Sequence, residues 1–267
     1  MRELSTKKYK GLSKREAYLL RSLARMDKKI FSIEDAKSII KNPNKILFNL
    51  SRKGWILRLK RGLYVLVPLE IGPKGADAYI IHDFLIVPHL VNPYYIGYWS
   101  ALNYYGFTDQ IPRTTFVATL NPKKPLRILS SEFYFVKISS NKFFGLKKIR
   151  VEGEQINISN KEKTIADCLD HPEHAGGIEE VAKAIYFNHK EIDLEKVERY
   201  LIKMDNLTAI KRFGYILDVC KIKYQIKTRR ISKGYSLFDP LSPKKGIYNK
   251  KWMLIINKEI NPEGWMY

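Results

Sequence analysis

Four side chains between positions 45 and 52 carry the most informative chemistry in this sequence: Lys45, Phe48, Asn49 and Arg52. Their spacing of i, i+3, i+4 and i+7 places them in one stripe if the segment is helical. An asparagine amide can donate to and accept from an adenine edge at once, and a guanidinium can pair with guanine through two parallel bonds. Phe48 suits a thymine methyl, or packs inward if the helix register is one residue different. Lys45 and Lys53 stand where phosphates would lie. A few residues on, Arg58, Lys60 and Arg61 cluster about a turn, suited to neutralising a phosphate backbone or entering a minor groove. Lys45, Asn49, Arg52, Lys53, Arg58, Lys60 and Arg61 are therefore the candidate DNA-binding residues.

A helix and a hairpin must hold them, and the flanking sequence supplies both. Ser13 with Glu16 makes a capping box for a helix over 13–26, with Leu19, Leu20, Leu23 and Met26 as its apolar face. Ser32 and Asp35 open a second short helix with Ile33, Ala36, Ile39 and Ile40 on one face. Asn42-Pro43 predicts a cap followed by proline at the first position of a third helix, running to about Lys53 with Ile46, Leu47 and Leu50 inward. After Gly54 the period becomes two. Leu57 and Leu59 alternate with Arg58 and Lys60, Arg61-Gly62 turns, Leu63 to Val67 returns, and Pro68 stops the strand. Three helices and a basic-tipped hairpin in this order predict a winged helix-turn-helix, whose second motif helix enters the major groove.

The charge distribution agrees. The 267 residues include 48 Lys and Arg against 27 Asp and Glu, a net charge of +21. Residues 1–68 hold 18 of those basic residues and 5 of the acidic ones, so a quarter of the chain carries 13 of the excess. Charge concentrated in one small domain is the footprint of a polyanion partner. The competing readings of the same face are a solvated helix and a protein-interaction module.

The rest of the chain predicts an α+β architecture, an N-terminal winged helix-turn-helix at 1–70 followed by a larger mixed α/β domain at 71–267. Pro68 to Gly75 is the expected linker. Helices are expected over 76–87, 97–105, Asn160 to Leu169, Ile178 to Phe187, Leu194 to Met204 and Leu207 to Lys221. Strands are expected at Thr115 to Leu120, Phe133 to Ile138 and Lys148 to Val151. The tail from Gly234 reads as irregular, with one strand at Trp252 to Ile256. The most apolar stretch, Ala78 to Val91, is broken by His82, Asp83, Pro88 and His89, so no membrane span is expected. The N-terminus lacks the apolar core of a signal peptide, and a cytoplasmic location follows as the expectation. Cys168 and Cys220, far apart in sequence, read as reduced structural thiols.

Other clusters have plainer roles. His171-Pro172-Glu173-His174, preceded by Asp170, has ligand-type residues, but Pro172 stops one regular helix from presenting both imidazoles, and a helix-capping turn is the expectation. Gly176-Gly177 lacks the further glycines and lysine of a phosphate loop, so a tight turn is expected. Lys161-Glu162-Lys163-Thr164 with Asp167 reads as a solvated helix face, and Asp218 and Asp239 as isolated carboxylates. Without a Gly-x-Ser-x-Gly elbow, a His-Glu-x-x-His run or a cysteine near histidine, no catalytic residue, cofactor site or metal site is assigned, and the chain is not expected to be an enzyme. The rivals are a nucleic-acid-modifying enzyme that uses the winged helix to deliver substrate, and an interaction module. Single-stranded RNA ranks lower, because the aromatic residues do not form a stacking platform.

Several segments together resemble the AbiEi-type antitoxins of abortive-infection systems: Lys53-Gly54-Trp55-Ile56 through Arg61-Gly62-Leu63-Tyr64, Tyr98-Trp99-Ser100-Ala101-Leu102, and Gly106-Phe107-Thr108-Asp109-Gln110-Ile111-Pro112. Phe143-Phe144-Gly145, Glu162-Lys163-Thr164 leading to Asp167-Cys168-Leu169, Gly176-Gly177, Phe238-Asp239-Pro240 with Gly246, and Trp252 to Asn257 follow the same pattern. The resemblance implies a transcriptional regulator that binds inverted repeats of double-stranded DNA in its own promoter, with a homodimer on DNA, two copies meeting there, as the expectation. It also implies a functional link to a nucleotidyltransferase-like toxin in phage defence, without requiring a stable complex with it. It transfers no catalytic role, and it leaves Trp99 and Trp252 as core anchors and Asp109 to Pro112 as a turn.

Overall fold

The computed structural model describes residues 11–68, 70–228 and 234–266. The first ten residues of the expected N-terminal domain, and Leu69 of the expected linker, lie outside them. By its internal contacts the chain divides into two compact units, Met1–Ile86 and Val87–Tyr267.

In the first unit the caps place the helices. Helix α1 (Lys14–Arg25) begins at Ser13, whose hydroxyl accepts from the Glu16 amide while the Glu16 carboxylate accepts from the Ser13 amide at 2.7 Å. Strand β1 (Ile30–Ser32), which the sequence reading missed, runs into α2 (Ile33–Ile39), and Ser32 with Asp35 closes a second capping box. Helix α3 (Asn44–Lys53) starts one residue later than expected. Asn42 takes a left-handed φ of +53° to make the turn, and Pro43, not Asn42, occupies the capping position without a side-chain cap. Gly54 ends α3 at φ +82°, where a Cβ would meet the Pro73 carbonyl oxygen at 2.8 Å. Strands β2 (Ile56–Lys60) and β3 (Leu63–Leu66) form an antiparallel hairpin with β1 on its other side, in the order β1-β3-β2. The register slips between Arg58 and Lys60, so Ile56 and Leu59 are buried while Leu57 is half-exposed. The strict alternation expected for this strand is thereby broken by a bulge. Leu19, Leu23, Phe31, Ala36, Leu47 and Leu50 form the core beneath. The single helix expected over 76–87 is instead a 3-10 turn at Pro73–Ala78 and the short α4 (Asp83–Ile86). Between them Ile81 is buried while Ile80 is 84% exposed, so this connection buries single side chains rather than one helical face.

The second unit is a six-stranded mixed sheet backed by helices. Its strands are β4 (Tyr94–Ile96), β5 (Thr114–Thr119), β6 (Leu126–Ile128), β7 (Ser131–Lys137), β8 (Leu146–Val151) and β9 (Glu154–Ser159), in the spatial order β6-β7-β5-β4-β9-β8. The pairs β5–β7 and β4–β9 are parallel and the others antiparallel. Helix α5 (Tyr98–Tyr104) follows β4, and α6 (Lys161–Asp170), α7 (Ile178–Asn188), α8 (Leu194–Lys203) and α9 (Leu207–Val219) follow the sheet. The tail is more regular than expected. Strands β10 (Ser236–Leu237), β11 (Ile247–Asn249) and β12 (Leu254–Ile256) form a small sheet in the order β10-β12-β11.

Helix α6 overturns the reading of its charges as a solvated face. Lys163 is 0% and Asp167 1% exposed. The helix lies among α5, α7, α8 and α9, so no face is left for water. The Lys163 ammonium pairs with Asp167 and reaches the Tyr95 hydroxyl at 3.2 Å, and that hydroxyl donates to Asp167 at 2.9 Å. Burial pushes the Asp167 carboxyl up, a shift that Lys163 and Tyr95 oppose. Asp218 and Asp239 are likewise not isolated. Asp218 accepts from Trp252 Nε1 at 2.6 Å, and Asp239 accepts from Ser242 Oγ at 2.6 Å in a local turn. Arg212 on α9 donates to the carbonyls of Leu169, Leu237 and Phe238 and so ties α6 to β10. Cys168 and Cys220 are free and buried, and burial pushes both thiols up, Cys220 to about 11.

Candidate nucleic-acid interface

Helices α2 and α3, joined by the turn at 40–43, make the helix-turn-helix of the first unit, and the β2–β3 hairpin stands beside α3 as a wing. Between them opens a cleft of about 890 Å³. Asn44, Phe48, Ser51 and Arg52 line it from α3, Arg58, Arg61 and Tyr64 from the wing, and Glu34 from the first turn of α2.

The expected α3 face exists, with one refinement. Ile46, Leu47 and Leu50 are buried, Lys45, Phe48 and Arg52 are exposed, and Asn49 is half-buried. Phe48 is 65% exposed and turned away from the core, which settles the register left open by the sequence. The Arg52 guanidinium lies 5.8 Å from the centre of the Phe48 ring, so the two side chains form one cationic–aromatic surface. Arg52, Arg58 and Arg61 meet around the cleft, whereas Lys45 and Asn49 lie outside its lining. Arg58 is oriented by donating Nε to the Lys60 carbonyl at 3.4 Å, and Lys60 itself is half-buried. Arg61 is exposed at the hairpin turn.

Lys53 has a different place. Its ammonium sits 2.6 Å from Glu16 Oε2 and donates to the Gly11 carbonyl at 2.9 Å, with 15% of its side chain exposed. The residue therefore joins α3 to α1.

The sequence reading missed Glu34, Asn44, Ser51 and Tyr64. Asn44, Phe48 and Ser51 are spaced i, i+4, i+7, so a second stripe beside the first was legible once α3 was placed. Glu34 and Tyr64 reach the cleft through the packing of α2 and β3 against α3, which no spacing reports.

Residues 18–67 match the family described as "Transcriptional regulator, AbiEi antitoxin". The matched segment runs from within α1 to Val67, just after the wing, so the AbiEi likeness drawn from the sequence holds over residues 18–67. The mixed α/β architecture with an N-terminal helical DNA-binding-like region also agrees with it. No curated protein matches the chain. Among solved structures, the RV2827C protein from Mycobacterium tuberculosis is similar in fold, with a TM-score of 0.63 at 14% identity over 91% of this chain and 92% of that one. Among the described residues, no helix is long and apolar enough to cross a membrane.

Proposed function

We propose that this chain is a sequence-specific double-stranded DNA-binding regulator of transcription, the autoregulating antitoxin of a cytoplasmic phage-defence operon. The observation that carries this reading is the coincidence of the AbiEi match with the cleft between α3 and the wing, where Arg52, Arg58 and Arg61 converge. In this reading α3 enters the major groove. Asn49, Arg52 and the exposed Phe48 ring read base edges and Lys45 meets a phosphate, while Arg58 and Arg61 hold the backbone that passes through the cleft. Lys53 positions α3 through Glu16. The operator is an inverted repeat bound by two copies. The nucleotidyltransferase-like toxin is opposed by the second unit, and the chain acts by binding rather than turnover.

The test is a gel-shift titration against the chain's own upstream DNA, with scrambled DNA of equal length beside it. Tight, selective binding supports the regulator. With about six phosphate contacts, affinity falls by roughly a thousandfold from low to moderate salt. Equal binding to both DNAs overturns the sequence-specific reading. Metal-dependent degradation of RNA, DNA or nucleotide by the pure chain would overturn the non-enzymatic one.

A further inference from the structure

The tetrapeptide after α6 assembles a donor set where the sequence predicted only a helix-capping turn. His171 caps the C-terminus of α6, and Pro172 opens a 3-10 turn, Pro172–His174, that swings the second imidazole back beside the first. The two rings are stacked with centroids 5.6 Å apart, and His171 Nδ1 lies 2.9 Å from Glu173 Oε1. One ligand atom from each of His171, Glu173 and His174 falls within 4.8 Å of the others. Proline, expected to prevent the convergence, produces it.

We propose that His171, Glu173 and His174 bind one divalent transition-metal ion, with zinc as the best match. Two imidazoles and a carboxylate are the donors such an ion prefers, and three protein ligands leave a fourth position open. Ligand atoms of a tetrahedral ion, with bonds of about 2.0–2.1 Å, stand about 3.3 Å apart, so small rotamer changes close the site. The surroundings fit as well. His171 Nε2 faces Asp170 Oδ2 at 3.6 Å, which puts a carboxylate behind this imidazole, a short shift from the hydrogen bond that orients metal-bound histidines. Asp170 is itself held by Lys142 at 2.5 Å and by the Asn206 amide. The His174 ring is seated among Tyr98, Phe116 and Tyr134, and no described residue hydrogen-bonds to its ring nitrogens. That leaves a nitrogen for an ion in a half-buried, aromatic-walled position. This inference concerns the second unit and stands apart from the DNA-binding reading.

The experiment titrates the chelator-treated full chain with Co²⁺, following the visible ligand-field bands of low-coordinate cobalt, and then displaces it with Zn²⁺. One equivalent per chain is expected. His171→Ala and His174→Ala should each weaken binding tenfold or more, and Asp170→Asn by about tenfold to a hundredfold. Substituting His189, which lies outside the cluster, should change nothing. Circular dichroism checks that each variant is folded. Glu173→Gln keeps the side chain's shape, so it decides the matter if a histidine variant loses its helices. Failure of the wild-type chain to bind an equivalent of metal overturns the site, as does unchanged affinity in Glu173→Gln.

Discussion

Lys53 Nζ lies 2.6 Å from Glu16 Oε2, joining the last turn of α3 to the first turn of α1. Glu16 serves twice, since the same carboxylate accepts from the Ser13 amide in the α1 capping box. Burial pushes the Glu16 carboxyl up, but hydrogen bonds from Lys53 and Ser13 and the lysine's charge outweigh it, so the group titrates below its ordinary 4.5. Asp35 repeats the pattern with Lys28 and Ser32, and it titrates below 3.8.

A carboxylate whose folded pKa is depressed stabilises the fold above its unfolded pKa and loses that contribution as pH falls through the folded one. The first unit should therefore weaken as pH drops below about 4.5, and Glu16→Gln should flatten that acid limb. Lys53→Met leaves a nearly buried carboxylate unpaired. A loss of about 1–3 kcal/mol is expected, discounted from the fully buried case because part of the lysine is exposed. Urea denaturation of the full chain at pH 7 and pH 4, followed by far-UV circular dichroism, measures both.

On DNA, the residues should separate by what they touch. Arg52→Ala and Asn49→Ala should each cost about 1–3 kcal/mol on the native operator and relax the preference at single base pairs. Arg61→Ala should weaken all sequences alike and reduce the salt dependence by about one counterion. Fluorescence anisotropy over a series of single-base operator variants distinguishes the two. If Asn49→Ala and Arg52→Ala bind as wild type does, the assignment of α3 to base recognition is lost.

The buried Lys163–Asp167 pair predicts a strong asymmetry between single and double replacement. Lys163→Met strands a carboxylate in the interior and should cost about 3–5 kcal/mol, whereas Lys163→Met with Asp167→Leu should recover much of that loss. Thermal unfolding of these two variants beside the wild-type chain tests this. If the single variant is as stable as wild type, water reaches the pair.

Gly214 lies inside α9, where alanine would ordinarily favour the helix by about 1 kcal/mol. Here a Cβ would stand 2.1 Å from Trp252 Cη2, a far harder contact than any propensity gain offsets. Gly214→Ala should therefore destabilise the chain by about 2 kcal/mol or more and shift the tryptophan emission. A raised Tm would mean that Trp252 moves aside freely.

The first unit was legible because its signals are local. Ser13 with Glu16 and Ser32 with Asp35 sit three residues apart, the inward and outward stripes of α3 follow one helical period, and Gly54 marks the end of that helix. Each depends on hydrogen bonds or spacing within a single turn, so the residue order alone carries it. The bulge at Arg58 to Lys60 was not legible, because it arises from how β2 pairs with β3 rather than from either strand's pattern.

In the second unit the sequence determined the helices but not their surroundings. Lys163 and Asp167 have the same i, i+4 spacing whether they face water or core. Only the packing of α5, α7, α8 and α9 around α6 decided that they are buried. The same holds for Lys53, whose charge was visible but whose partner Glu16 is 37 residues away, and for the cleft, where Glu34, Ser51 and Tyr64 come from three elements. Sequence fixes what a side chain can do and which local face it occupies. The tertiary structure chooses its partner, because desolvation and long-range contact depend on chain segments brought together from far apart.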